Sequence, residues 1–329
     1  MSSELYHIAV GVIYNEERDK VLIAKRHSDV HQGGLWEFPG GKLENNENIR
    51  NALSRELLEE IGLVVDKARP LISIKYDYPD QSVLLDVWRI DEWHGHLHGR
   101  EGQPIEWVSI NELSMRNFPS ADRAIIIATC LPALYQISAD PFTNIDSFIK
   151  KTEICLRAGT KLFQLRCTDI RNDNYVSLVN RLRILFESYD AILLINASPA
   201  DAVALDVGGV HLNSAQLLQL NERPLSNDYW VAASCHNQTE LEHAGHIGVD
   251  FVVLSPVCKT TSHPDMKPIG WENFRQLVEM SSVPVYALGG MQVSHLDIAQ
   301  TAGGQGIAML SGIWSSPDPV GLIRACLSR

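Results

Sequence analysis

Three glutamates, Glu56, Glu59 and Glu60, stand at i, i+3 and i+4 in a stretch of helical period, Asn48–Ile61. At 3.6 residues per turn they share one face, within an arc of roughly 100°. Three like charges on one face repel, and either solvent or a divalent cation relieves the repulsion. Mg²⁺ takes carboxylate oxygens and shares its other positions with water and substrate phosphates. The face therefore reads either as a cation cluster for a phosphate-bearing substrate or as a solvated charged surface. Gly40-Gly41, just upstream, forms a turn through which backbone can approach a ligand closely. Arg55 precedes Glu59 by four residues and can hold it. Leu53, Leu57 and Ile61 form an apolar row that anchors the helix to a sheet, and Gly62 is placed to end it.

A second group lies further along. Gly289-Gly290 and Ser311-Gly312 each close an apolar run and put Gly or Ser where backbone N–H groups meet an anion near a helix start. Ser255-Pro-Val-Cys-Lys-Thr-Thr-Ser-His263 adds hydroxyls. Each loop alone reads as a tight turn; together they favour a phosphate site. Two smaller features are weighed against plainer roles. His94-Gly-His96-Leu-His98 would align three imidazoles on one side of a strand, as Zn²⁺ or Ni²⁺ ligands, but the neighbouring Gly and Trp favour a solvated loop. Trp36 suits a core position as well as it suits stacking on a base.

These residues need a scaffold. In the first third, His7–Tyr14, Val21–Ala24, Leu71–Tyr76 and Ser82–Ile90 read as strands, and Arg123–Leu131 as an apolar helix. Strands on both sides of a helix predict an α/β layer structure. From Leu134 the rhythm changes to eight short apolar runs, each followed by a helical stretch: Leu134–Ser138, Leu162–Cys167, Ala191–Asn196, Gly209–Leu212, Trp230–Cys235, Phe251–Val257, Val283–Gly290 and Gly306–Ile313. Eight β-then-α units fit a small (β/α)₈ barrel, with an open doubly wound sheet as the alternative. No Gly/Ser linker divides the parts, and the junction falls near Pro132, giving domains of 1–132 and 133–329.

Composition narrows the class. The chain has 329 residues, with a net charge of −12 and 45% hydrophobic residues. That is enough apolar material for roughly two packed domains and argues against disorder. No run approaches ~18 uninterrupted apolar residues, so no membrane span is expected. The start, MSSELYHIAV, carries no signal-peptide pattern. An acidic chain is a poor general binder of nucleic acid, because neutralising phosphates needs clustered Lys and Arg. Six cysteines without a C-x-x-C pair fit a reducing compartment, and a cytoplasmic protein is expected.

One spacing decides between the two readings of the acidic helix. Gly41, five residues, Glu47, seven residues, Arg55-Glu56-Leu57, one residue, Glu59-Glu60, one residue, Gly62-Leu63 matches the Nudix hydrolase signature at every fixed position. Residues from about Leu5 to Ile127 resemble the MutT-type branch through Ile8-Ala-Val-Gly-Val12, Glu37-Phe-Pro-Gly-Gly-Lys42, Glu101-Gly-Gln-Pro104, Glu106-Trp107 and Phe118-Pro119. The resemblance implies an α/β/α sandwich with a mixed sheet and Mg²⁺ as cofactor, with Mn²⁺ as a substitute. It implies hydrolysis of 8-oxo-dGTP to the monophosphate and pyrophosphate. Glu56, Glu59, Glu60, Glu101 and the Gly40 carbonyl would be metal ligands. Glu56, Glu60, Glu101 and Arg55 would serve the chemistry, with the base left open among the first three. Arg26 and Phe38 match residues that contact the nucleotide. Asp122 stands where the pattern places an Asn that reads the purine, and a carboxylate donates a hydrogen bond only when protonated.

The remainder resembles thiamine phosphate synthase and its thiazole tautomerase relatives, which implies a TIM barrel. The matching stretches are Gln164-Leu-Arg166, Leu193-Leu-Ile-Asn196, Gly209-Val-His-Leu212, Ser234-Cys-His236, Ser255-Pro-Val257, Thr260, Ala287-Leu-Gly-Gly290 and Met309-Leu-Ser311. Gln164, Arg166, Asn196, Thr260, Gly290 and Ser311 would bind a phosphorylated thiazole or thiamine ligand. Ala197 and Gln216 stand where the synthases carry Mg²⁺-binding Asp residues, and Thr168 and His263 where they carry Lys. Weak or absent synthase activity is therefore expected. An alternative is a Nudix hydrolase of thiamine-type pyrophosphates, with a ligand-binding or tautomerase-like barrel. Partners are small molecules, not nucleic acid or membrane; oligomeric state stays open.

Overall fold

A computed structural model describes residues 5–141, 143–167, 174–260 and 266–328. The chain divides into two compact units, Met1–Cys130 and Leu131–Arg329.

The first unit runs β1 (Leu5–Ile13), β2 (Lys20–Lys25), β3 (Trp36–Glu37), β4 (Gly40–Lys42), α1 (Ile49–Ile61), β5 (Leu63–Asp77), β6 (Ser82–Gly95), β7 (Ile105–Ser109) and α2 (Arg123–Cys130). A four-stranded mixed sheet has the order β4-β1-β6-β5, with β1 and β6 parallel; a three-stranded antiparallel sheet has the order β3-β2-β7. Asn48 caps α1 by accepting from the Asn51 N–H, and Gly62 ends it in the left-handed region at φ 72°. Ala52, Leu53, Leu57 and Ile61 are the buried row, as the spacing predicts. Gly11 of β1 permits the contact: a Cβ there would lie 2.9 Å from Leu57 Cδ1.

Strand β5 is much longer than its apolar stretch Leu71–Tyr76. Asp66, Lys67, Arg69 and Pro70 break the pattern, yet pairing with β6 continues through register shifts at Val65/Lys67, Lys67/Ala68 and Pro70/Ile72. β5 is an edge strand, where a proline and bulges are tolerated. The short strands β3, β4 and β7 carry too few residues for a periodic signal.

The second unit is a closed barrel of eight parallel strands: β8 (Leu134–Ile137), β9 (Leu162–Leu165), β10 (Ile192–Ile195), β11 (Gly209–Leu212), β12 (Trp230–Cys235), β13 (Phe251–Leu254), β14 (Val285–Ala287) and β15 (Gly306–Met309). All eight runs are where the sequence puts them, and closure excludes the open sheet. Helices such as Ile145–Arg157, Tyr175–Ser188, Gln238–Ile247 and Gly270–Glu279 follow their strands. Tyr135, Phe251 and Tyr286 fill the interior with rings 5.2–5.7 Å apart. Buried beside them, His211 Nδ1 lies 3.0 Å from the Tyr135 hydroxyl, and Nε2 lies 2.8 Å from Ser234 Oγ. A Tyr135 O–H donating to Nδ1, with Nε2–H donating to Ser234, leaves neither the Tyr135 hydroxyl proton nor a His211 nitrogen unpaired.

Among the described residues no helix is long and apolar enough to cross a membrane. All six cysteines are free thiols.

Candidate active site

The acidic face of α1 divides into three environments. Glu59 points outward, its side chain 60% exposed, whereas the Glu56 side chain is 18% exposed. Arg55 organises them. Its guanidinium grips Glu47 with two bonds, Nε–Oε1 at 3.1 Å and Nη2–Oε2 at 2.8 Å. Nη1 reaches Glu56 at 2.8 Å and Glu59 at 3.3 Å, and Nη2 donates to the Lys42 carbonyl at 3.1 Å. Such a two-bonded fork fixes orientation as well as charge. The Glu47 carboxyl is held below its usual range by these bonds, and the Arg55 pKa is raised, chiefly by Glu47.

Glu60 points the other way, and its Oε2 accepts the Gly40 N–H at 2.9 Å. Burial pushes its carboxyl up to about 8, reinforced by Glu37, Glu101 and Glu56 and opposed by the Gly40 bond. Burial likewise raises Glu56, against the pull of Arg55. The Gly-Gly turn fits tightly here. Gly40 has φ 152°, and a Cβ on it would overlap the Ala9 carbonyl; a Cβ on Gly41 would overlap the Glu56 carboxylate.

Glu101 arrives from the loop after β6. The His98 N–H donates to the Ile61 carbonyl at 3.1 Å and the Arg100 N–H to the Glu60 carbonyl at 2.9 Å, so the loop seals the C-terminus of α1. Strand β6 ends at Gly95, so His96 and His98 lie beyond it; His94 pairs with Asp66 at 2.8 Å. Among the described residues no set of three His, Cys, Asp or Glu side chains stands ready to hold a metal. The expected loop therefore holds only His96 and His98, while His94 is a strand residue.

Sequence reasoning missed Glu37. It lies on β3, three residues before Gly40, and its charge bears on both Glu60 and Asp122. Its neighbour is Arg26, one of the expected nucleotide contacts, which is ion-paired to it. Glu37 opens the matching stretch Glu37-Phe-Pro-Gly-Gly-Lys42, but no spacing rule links a two-residue strand to a helix, so its charge on Glu60 was not legible. Phe38 is 3% exposed and stacks on Phe118 with centroids 5.4 Å apart. Asp122 is 7% exposed; burial, and then Glu37, push its carboxyl up to about 8, against Arg26. Trp36 is half-buried, with Lys25 and Arg116 each 5.7 Å from its ring.

The donor set fits a divalent cation. Several buried or half-buried carboxylates converge, with Arg55, Arg26 and the Gly40 N–H set against them, and the glycine cradle keeps side chains out. Arg55 holds Glu56 and Glu59 in the arrangement described here.

In the barrel, Gln164, Arg166, Asn196, Thr260, Gly290 and Ser311 all lie at the C-terminal ends of strands or in the loops that follow, on one rim. Gln164 is buried, Asn196 and Thr260 half-buried, and Arg166, Gly290 and Ser311 exposed. Asn196 Nδ2 donates to the His211 carbonyl at 2.9 Å. Gly289 and Gly290 have φ 98° and 67°, and a Cβ on Gly290 would overlap the Lys259 carbonyl, so this turn requires glycine. Ala197 and Gln216 are neighbours, with Gln216 Nε2 donating to the Ala197 carbonyl at 3.5 Å. Thr168 and His263 lie outside the described residues.

Two family models match this chain: the NUDIX domain over residues 9–128, and thiamine monophosphate synthase over residues 134–313. The first part is 39% identical over 119 residues to an 8-oxo-dGTP diphosphatase of Escherichia coli, spanning 36% of this chain and 92% of that protein. It is 43% identical over 102 residues to an 8-oxo-dGTP diphosphatase of Proteus vulgaris, spanning 31% and 90%. The second part is 33% identical over 181 residues to a putative thiamine-phosphate synthase 2 of Aquifex aeolicus, spanning 55% and 97%.

Proposed function

Because this chain belongs to the NUDIX hydrolases through its first part and to the thiamine-phosphate synthases through its second, we propose that it is an 8-oxo-dGTP diphosphatase carrying a ligand-binding barrel. We assign the hydrolase to residues 1–132 and the barrel to 133–329. The observation that carries the reading is the carboxylate centre itself: Glu56 and Glu60 are half-buried, both are raised first by burial and then by neighbouring carboxylates, and they are backed by a glycine cradle.

Glu56, Glu59, Glu60, Glu101 and the Gly40 carbonyl would hold Mg²⁺, or Mn²⁺ in its place. Bound there, a cation would supply polarisation of the phosphate oxygens and a lowered pKa of the attacking water. The residues do the rest. Arg55 keeps Glu56 oriented through Glu47 and the Lys42 carbonyl. Gly40 N–H fixes the Glu60 carboxylate, and Glu56, Glu60 and Glu101 are the groups able to accept the water's proton. Water adds to phosphorus, the bridging P–O bond breaks, and monophosphate and pyrophosphate leave. Arg26, Phe38 and Asp122 would contact the nucleotide. A neutral Asp122 carboxyl offers one donor and one acceptor, the same pair a carboxamide offers a purine edge.

The test is a Mg²⁺-dependent substrate panel on the full chain. The kcat/KM for 8-oxo-dGTP should exceed that for dGTP and for thiamine-type pyrophosphates by at least about tenfold, ~1.4 kcal/mol of transition-state preference. Preference for thiamine-type pyrophosphates would reassign the substrate, and uniform turnover of unrelated diphosphates would remove the sanitising role.

For the barrel we propose binding of a thiazole or thiamine phosphate without synthase chemistry. Expulsion of pyrophosphate needs charge neutralisation, and Ala197 and Gln216 bring no carboxylate to a cation there. Calorimetry with thiazole phosphate should show saturable binding, weakened about tenfold or more in Arg166→Ala, since a guanidinium–phosphate contact is charge-assisted. Heats indistinguishable from dilution would make the barrel an assembly module instead.

A further inference from the structure

Gln103 is a polar side chain with 7% of its surface exposed, in the segment between the Glu101 loop and β7. Both ends of its amide are engaged. Oε1 accepts the Glu101 N–H at 3.0 Å, and Nε2 donates to the Glu60 carbonyl at 3.1 Å. One planar group therefore runs from the residue bearing a helix carboxylate to the residue bearing the loop carboxylate. The Glu60 carbonyl is among the last in α1, without an intrahelical partner, and a second donor satisfies it alongside the Arg100 N–H.

The surrounding chain makes this bridge specific. Main-chain bonds from His98 and Arg100 fix where the loop begins. The Pro104 carbonyl, accepting from the Lys25 N–H at 2.9 Å, fixes where it re-enters the sheet. Gly99 closes tightly, since a Cβ on it would overlap the Gln103 carbonyl. Between those anchors Glu101 is held through the Gln103 side chain. A carboxamide of this length accepts from one N–H while donating to one carbonyl, whereas a carboxylate offers acceptors alone and an ammonium donors alone.

We propose that Gln103 is a positioning residue that sets the Glu101 carboxylate against the Glu60 end of the acidic cluster. The proposal rests on the hydrolase reading above. Gln103 acts through Glu101 and Glu60, touching neither substrate nor cation itself, and partners of this kind typically govern metal affinity by 10–100-fold.

The test uses the full chain with Gln103→Met, which removes both bonds at similar volume. Gln103→Asn keeps the amide but is too short to span both partners, and carries the test if the Met variant fails to fold. Three quantities are read: hydrogen exchange at the Glu101 amide without added metal, Mn²⁺ affinity by titration, and kcat on the parent and on a Glu101→Gln background. We expect about tenfold faster exchange, about tenfold weaker Mn²⁺ binding, and about a tenfold loss of kcat that vanishes on the Glu101→Gln background, because the two residues form one unit. Unchanged Mn²⁺ affinity, or equal kcat losses on both backgrounds, overturns the proposal. Glu56→Gln separates it from the reading beneath: if that variant stays active the hydrolase assignment fails, and if it is inactive while the Gln103 variants behave as the parent, only the positioning role fails.

Discussion

Glu56→Gln should lower kcat for 8-oxo-dGTP by about a thousandfold or more, equivalent to ~4 kcal/mol of transition-state stabilisation. Glu56 is the helix carboxylate that meets both the glycine cradle and Arg55, which donates to it at 2.8 Å. The amide replacement is isosteric, so the packing of α1 through Leu53, Leu57 and Ile61 is untouched. It removes the negative charge and leaves Arg55 bonded to Glu47 and the Lys42 carbonyl. The loss should therefore fall on kcat and on Mg²⁺ dependence, with a near-parental melting temperature. Steady-state kinetics over a Mg²⁺ series, beside circular dichroism of the same samples, makes the check. A variant that folds normally and keeps more than about a tenth of the parental rate would exclude Glu56 from the metal set.

The second large effect is a dependence of stability on pH that has opposite sign in the two units. Asp122 is buried with its carboxyl raised to about 8, far above the ordinary value near 4. A group raised in the folded state binds more protons folded than unfolded, so its contribution is complete below pH ~4 and is lost as pH rises to about 8. Glu60 has the same sign in the absence of a cation. In the barrel, burial lowers His211 to about 3, against ~6.5 unfolded. Its contribution is complete above pH ~6.5 and is lost as pH falls toward 3. Within its window each group tilts stability by up to ~1.4 kcal/mol per pH unit. Hydrogen exchange by mass spectrometry on the metal-free full chain should show the first unit opening more readily at pH 8 than at pH 5.5, and the barrel more readily at pH 4.5 than at pH 7, after correction for intrinsic exchange. Asp122→Asn should flatten the first slope and leave the second. Parallel slopes in both units would contradict the two assignments.

Much of this was legible in the chain. The barrel strands announce themselves because each is buried on both faces, and a short continuous apolar run is what such a strand requires. Helix α1 is legible because its caps, its apolar row and its acids obey one period. Strand β5 was half hidden: its charged and prolyl stretch is held by pairing with β6 rather than by burial.

By itself the sequence determined the two folds and the family of each, and it singled out the residues proposed to carry the chemistry, since residue type and spacing along one helix or loop are local facts. Tertiary structure alone decided how those residues are charged and held. Glu37, from a two-residue strand, meets Glu60 from α1 in electrostatic range; Gln103 ties Glu60 to Glu101 across 43 and 2 residues of chain, respectively. Burial and repulsion depend on distance in space, and no spacing within one element encodes the distance between two.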